Sequence, residues 1–261
     1  MIETTETPQA RLSKPMDLGT ILDGAFSLYR RHFAVLVGSV GILLVPLALI
    51  SIAFGPWGLF LTYFAGLLTP AIGALVAGDV AVGRQPTIGG IWSRMGRLVL
   101  PLLLTSVLVW LAVGVGFILV IIPGILFYVW FSLFAQAIAI EDRRYFRAMG
   151  RSRQLVRGSW WRVFGILLVI SLVTGIAQQV VQSIVTALLG VVGVGSGPDL
   201  FNTGGGAQGF SHLTTVPVVL GSTIATLLVA PIAALAPALL YFDLRLRKEG
   251  TDIAAAVDAL G

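Results

Sequence analysis

The sequence predicts an all-α, polytopic integral membrane protein, and three observations carry the prediction. Only 11% of the residues are charged while 57% are apolar, and mean hydropathy is +0.95. A soluble domain is about a quarter charged, so this chain has too few ionic groups to coat a water-facing globule. Residues 98–140 contain no charge at all, and the 17 Lys and Arg residues are confined to four segments. The chain reads as one membrane domain over 1–261, with six spans.

The elements follow in order. Residues 1–32 carry Glu3, Glu6, Asp17 and Asp23 and have no small-residue cleavage signature after a short apolar core. That is not a signal peptide, so the first hydrophobic segment is expected to stay in the protein. The run 33–82 is too long for one crossing, which needs about 20 apolar residues, and FGPWG at 54–58 divides it into spans at 33–54 and 58–80. The uncharged run 98–140 would make a helix roughly 65 Å long at 1.5 Å per residue, twice what a bilayer holds. IIPG at 121–124 supplies its break, since Pro123 cannot continue the helix bonding and Gly124 tolerates turn geometry. Spans are therefore expected at 98–119 and 123–140. A fifth span is expected at 163–185, with room to run on to 192, and a sixth at 215–241, leaving 242–261 as a tail.

The basic groups set the orientation. Arg11, Lys14, Arg30 and Arg31 precede span one. Arg84, Arg94 and Arg97 lie between spans two and three. Seven arginines fall in EDRRYFRAMGRSRQLVRGSWWR at 141–162, and Arg245, Arg247 and Lys248 follow span six. The intervening loops near 55–57, 120–122 and 186–214 have none. The positive-inside rule then places both termini in the cytoplasm.

Spans one, three and five are each preceded by a basic amphipathic segment: LGTILDGAFSLYRRHFAVLVG from 18, TIGGIWSRMGRLVLPLLL from 87, and YFRAMGRSRQLVRGSWWRVFGILL from 145. The expected architecture is three tandem units, each a surface helix plus a two-span hairpin. In the third unit Tyr145, Met149, Ser152, Val156 and Trp160 share one helical face, while Arg143, Arg147 and Arg151 line another at i, i+4, i+8. A helix lying in the headgroup layer needs this pattern, its apolar side toward acyl chains and its basic side toward anionic phosphates. Arg157, Trp160 and Trp161 continue the surface, the tryptophans where an aromatic belt is expected. These residues are the candidates for lipid or partner binding. The formal charge of +5 is read as basic residues retained at the cytoplasmic surface. Nucleic-acid binding is not expected, because the basic stretch is short and its aromatics serve the interface.

The last span ends in LLYFDLRLRKEGTDI. A terminal span running into Tyr241, Asp243, Arg245, Arg247, Glu249 and Gly250 at this spacing resembles the membrane-domain family named after glycerophosphoryl diester phosphodiesterases, with its six-span bacterial relatives. RSRQLVRGSWWRVFGILL from 151 and LGTILDGAFSLYRRHF at 18–33 are similar to other parts of that family. The resemblance implies a multi-pass protein of the bacterial cytoplasmic membrane. It does not carry phosphodiesterase activity over, because the metal-binding carboxylates and catalytic histidines of the fused barrel have no counterpart here. The two histidines, His32 and His212, are expected on opposite sides of the membrane. Read from spacing alone, Asp243 with Arg247 and Arg245 with Glu249 are i, i+4 pairs if the helix continues. They form either a charged helix exit or a cluster docked on the arginine helices.

Inside the spans few groups suit chemistry. Asp79 lies near the cytoplasmic end of span two, in reach of Arg84, Arg94 or Arg97. Gln136 in span four and Thr174, Gln178 and Gln182 in span five are either inter-helix hydrogen-bonding groups or the lining of a polar path. No metal constellation, phosphate-cradling loop or nucleophile–base arrangement is visible, so no cofactor and no enzymatic activity are expected. The sequence therefore points to a membrane scaffold or partner subunit. Its basic cytoplasmic face would bind anionic lipid headgroups, a protein partner or a second copy. A transporter or lipid-handling permease is the alternative.

Overall fold

The structure is a computed structural model that describes residues 16–54, 66–191 and 212–258. All the regular elements among them are helices: α1 Leu18–Arg31, α2 Phe33–Phe54, α3 Thr69–Ala81, α4 Ile88–Leu119, α5 Ile121–Phe131, α6 Phe134–Glu141, α7 Phe146–Val156, α8 Trp160–Val191 and α9 His212–Asp258. Five stretches are long and apolar enough to cross a membrane: Phe33–Ile52, Ile88–Leu119, Ile121–Glu141, Trp160–Leu189 and Val216–Gly250. Of the expected second span, the described part is the shorter apolar α3. Residues 55–58 of the FGPWG break and most of the Gly-rich segment 193–213 lie outside the described residues.

α4 shows why these helices need lipid. Leu100, Leu104, Val107, Leu111 and Ile118 recur at helical spacing and are exposed, whereas Leu98, Leu102, Thr105, Val109 and Val113 on the other face are buried. α8 repeats the pattern with exposed Leu168, Leu172, Ile176, Val180 and Ile184. Contiguous apolar area of this extent is not left facing water.

α9 is the organising element and packs on α1, α2, α3 and α8. Its small residues permit that. A Cβ on Gly73 of α3 would stand 2.6 Å from the backbone of Ala234, and one on Gly221 would stand 2.5 Å from the Thr186 hydroxyl of α8. The two backbones therefore approach as only glycine allows. Three prolines, Pro217, Pro231 and Pro237, lie within α9.

Several local features differ from the sequence expectation. The turn between α4 and α5 falls at Val120, which is extended (φ −163°, ψ 150°). Pro123 sits in the first turn of α5, where a missing N–H is not needed. Gly124 instead admits the Phe117 ring, which a Cβ there would meet at 2.5 Å. The segment from 87 is not a separate surface helix: α4 is continuous for 32 residues, started by the Thr87 hydroxyl accepting the Gly90 N–H at 3.2 Å. The segments from 18 and from 145 do form separate helices. α1 is capped by Asp17, which accepts the Thr20 N–H at 3.0 Å, and α7 is parted from α8 at Gly158 (φ 90°). The last helix does not stop at 241 but continues to Asp258.

Candidate functional site

The charged side chains gather at one end of the bundle, where the tail of α9 meets α1, α6, α7 and the start of α8. The helical continuation past 241 builds the site, because it puts Tyr241, Asp243, Arg245, Arg247 and Glu249 on consecutive turns of one rigid element.

Asp243 is completely buried and is the centre of the first cluster. It accepts the Met16 N–H at 2.7 Å, Arg162 Nη1 at 2.8 Å, and Arg247 Nε at 3.0 and 3.1 Å. Arg162 and Arg247 also both donate to the Met16 carbonyl. A buried carboxylate is tolerable only when paired and hydrogen-bonded in this way. Asp243 thereby fastens the chain entering α1 to the start of α8 and the tail of α9.

Glu141, the last residue of α6, is the centre of the second. It accepts Arg151 Nε at 3.0 Å and Nη2 at 2.8 Å, Arg143 Nε at 2.9 Å, and the Tyr241 hydroxyl. Arg151 reaches on to Glu249, which also accepts Arg245 Nε at 2.6 Å. The loop that lets Glu141 face Arg151 places Asp142 (φ 49°) and Tyr145 (φ 52°) in the left-handed region, a conformation uncommon outside glycine. The Arg151 side chain is 9% exposed. Its burial opposes the charge, but its hydrogen bonds to Glu141, Glu249 and Tyr241 outweigh that and hold its pKa above the usual arginine range. A third pair joins α3 to α4, where Arg94 Nη1 donates to the buried Asp79 at 2.8 Å. Of the three arginines within reach of Asp79 by sequence, it takes Arg94.

The predicted lipid-binding residues therefore divide. Arg151 is consumed internally and Arg143 leans on Glu141, whereas Arg147 and Arg157 are exposed and have no ion pair among the described residues. Trp161 is 78% exposed, and Trp160 stacks on Phe164 with ring centroids 5.3 Å apart. The shared apolar face of α7 needs correcting. Met149, Ser152 and Val156 are buried, but against α5 and α6 rather than toward acyl chains. Ser152 donates to the Trp130 carbonyl at 2.7 Å and accepts the Leu133 N–H at 3.1 Å. Tyr145 is exposed, and Trp160 belongs to α8. Arg153 lies 4.5 Å above the Trp130 ring, and Lys248 donates to the Arg157 carbonyl at 2.6 Å, tying α9 to the end of α7.

The glutamines are not brought into one path. Gln178 Nε2 donates to the Thr226 hydroxyl of α9 at 3.0 Å, and the Thr174 hydroxyl donates back to Ile170 O at 2.7 Å. Gln182 is half-buried where Gly221 meets α8. Gln136 is buried in α6, which packs chiefly on α3 and α7, and its Oε1 has no partner among the described residues. No group of three or more His, Asp or Glu among the described residues could hold a metal ion.

Sequence reasoning passed over Glu141, Arg162 and the Met16 backbone. Glu141 did carry a signal, as the acid that closes the uncharged run 98–140. Arg162 was visible only as a topology marker.

Fold and site together define an all-helical, membrane-embedded protein whose charges are gathered into ion-pair clusters. The chain belongs to the family described as a domain of unknown function (DUF7847), which matches residues 16–243. The first and last residues of that match, Met16 and Asp243, are hydrogen-bonded to each other. No curated protein and no solved structure matches the chain.

Proposed function

We propose that this protein is a non-enzymatic membrane scaffold of six spans with both termini in the cytoplasm, its locked basic face resting on anionic lipid headgroups. The single observation that carries the reading is the division of the arginines. The tail of α9 engages Arg151 and Arg162 in internal ion pairs, while Arg147 and Arg157, on and just after α7, are left exposed, as is Trp161 near the start of α8. Basic side chains near an anionic surface contribute about 1 kcal/mol each, and exposed tryptophan suits the interface. The clusters give the face rigidity and its unpaired arginines give it affinity. The all-helical bundle and the tail motif also fit the resemblance to the glycerophosphoryl diester phosphodiesterase membrane domain, without its enzyme.

The test is the preference of the reconstituted protein for spin-labelled phosphatidylglycerol over phosphatidylcholine. Wild type should prefer the anionic lipid in a salt-sensitive way, and Arg147→Glu with Arg157→Glu should weaken the preference. An unchanged preference in the double variant would reject the reading. A transporter is supported less, because Gln178 is engaged by Thr226 and α8 meets α9 tightly at Gly221. Flux lost in Gln178→Leu with Gln182→Leu would revive it.

A further inference from the structure

A cleft of about 200 Å³ opens between α3, α4 and α6, lined by Arg94, Arg97 and Arg144 and by Leu75, Leu98 and Ile140. Leu98 and Ile140, the two ends of the uncharged run 98–140, both line it. The cleft therefore sits at the level where apolar surface gives way to charge, which in a bilayer is the level of the lipid phosphates.

Its arginines are unequally committed. Arg94 is held by Asp79. Arg97 is exposed and has no carboxylate partner among the described residues. Arg144 is paired only with Asp142 in the same loop, at 3.2 Å, and the Asp142 side chain is 69% exposed. Exposed pairs of that kind hold weakly, so the Arg144 guanidinium is free to turn to a better acceptor. With Asp79 and Asp142 set against the three arginines, one positive charge is left over. Guanidiniums favour phosphate because their fork matches two of its oxygens, and basic pockets between helices at this level suit anionic headgroups.

We infer that this cleft is a binding site for one phosphodiester headgroup of an anionic phospholipid, with Arg97 and Arg144 on the phosphate and the glycerol and first acyl carbons over Leu98 and Ile140. The charge of the ligand matches the single unpaired positive charge, and the apolar floor selects a phosphate attached to a hydrocarbon tail. The inference rests on the reading of the basic end as lipid-facing, but it names a different set of residues and a stoichiometric site rather than a diffuse attraction.

The experiment is native mass spectrometry of the full chain titrated with phosphatidylglycerol, against phosphatidylcholine and soluble glycerophosphoglycerol as probes. Wild type should retain one phosphatidylglycerol. Arg97→Gln with Arg144→Gln should weaken it about 30-fold, the equivalent of about 2 kcal/mol for two basic groups, while Arg147→Gln with Arg157→Gln retains it. Equal weakening in both double variants would overturn the cleft and leave the broader lipid reading standing. Equal retention of phosphatidylcholine by wild type would overturn both. Binding of glycerophosphoglycerol as tight as that of the lipid would overturn a lipid ligand. If the double variant does not fold, the single variant Arg97→Gln, at an exposed and unpaired position, gives the same decision with about fivefold weakening.

Discussion

Arg147 and Arg151 stand one helical turn apart on α7 and have opposite surroundings. Arg151 faces inward, is nearly buried, and is shared by Glu141 and Glu249. Arg147 faces outward and meets no carboxylate among the described residues. The same residue type in the same basic stretch is structural at one position and available at the other. What decides is whether acids from other helices, Glu141 of α6 and Glu249 of α9, come within reach. A cluster of arginines is therefore not one site, and its count says little until the partners are placed.

Removing the acid that the tail supplies should break the structural half. Asp243→Ala leaves Arg162, Arg247 and the Met16 N–H without their common acceptor. The expected loss is about 3 kcal/mol, near the lower limit for breaking a buried pair because both arginines keep some contact with solvent. Thermal unfolding in detergent reads it, and an unchanged midpoint would mean the cluster contributes nothing.

A second variant asks how much of the bundle is held by packing rather than by ions. Gly73→Val drives two methyl groups into the Ala234 backbone of α9, where a Cβ alone would stand at 2.6 Å. Overpacking of this kind costs about 1–3 kcal/mol. The same unfolding assay should show it with every ion pair chemically intact.

The neutral polar contact between α8 and α9 should matter far less. Gln178→Leu removes the bond to Thr226, and such interhelical bonds are worth about 0.6 kcal/mol on average. A shift as large as that of Asp243→Ala would place Gln178 in a network rather than a single bond.

The smallest effect is a pH response at α1. The side-chain and backbone hydrogen bonds from Thr20 hold the Asp17 carboxyl below its ordinary 3.8. A depressed carboxyl stabilises above the unfolded value and loses that contribution as pH falls through the folded one. Amide exchange in the first turn of α1 should therefore be steady from pH 7 to 5 and quicken below pH 4, after correction for intrinsic rates. Asp17→Ala should remove the step.

Much of this was legible in the sequence. Charge scarcity and helical periodicity gave the helices and the apolar spans, and the i, i+4 spacing of Asp243, Arg247, Arg245 and Glu249 anticipated both pairs seen in the tail. The surface on which α7 rests was not legible, because an apolar stripe of Met149, Ser152 and Val156 looks the same whether it meets acyl chains or α5 and α6. Nor were the partners of Glu141, since Arg151 is ten residues away and Tyr241 a hundred, and no local period connects them. The surface helix expected from 87 merged into α4 because nothing like Gly158 interrupts it.

The most direct test of the division of labour compares Arg147→Gln with Arg157→Gln, on one side, against Arg151→Gln on the other. Each is measured for thermal midpoint and for phosphatidylglycerol preference by spin-label spectroscopy. The account predicts that the first pair weakens lipid preference at an unchanged midpoint, and that Arg151→Gln lowers the midpoint with preference retained. The reverse pattern would contradict it.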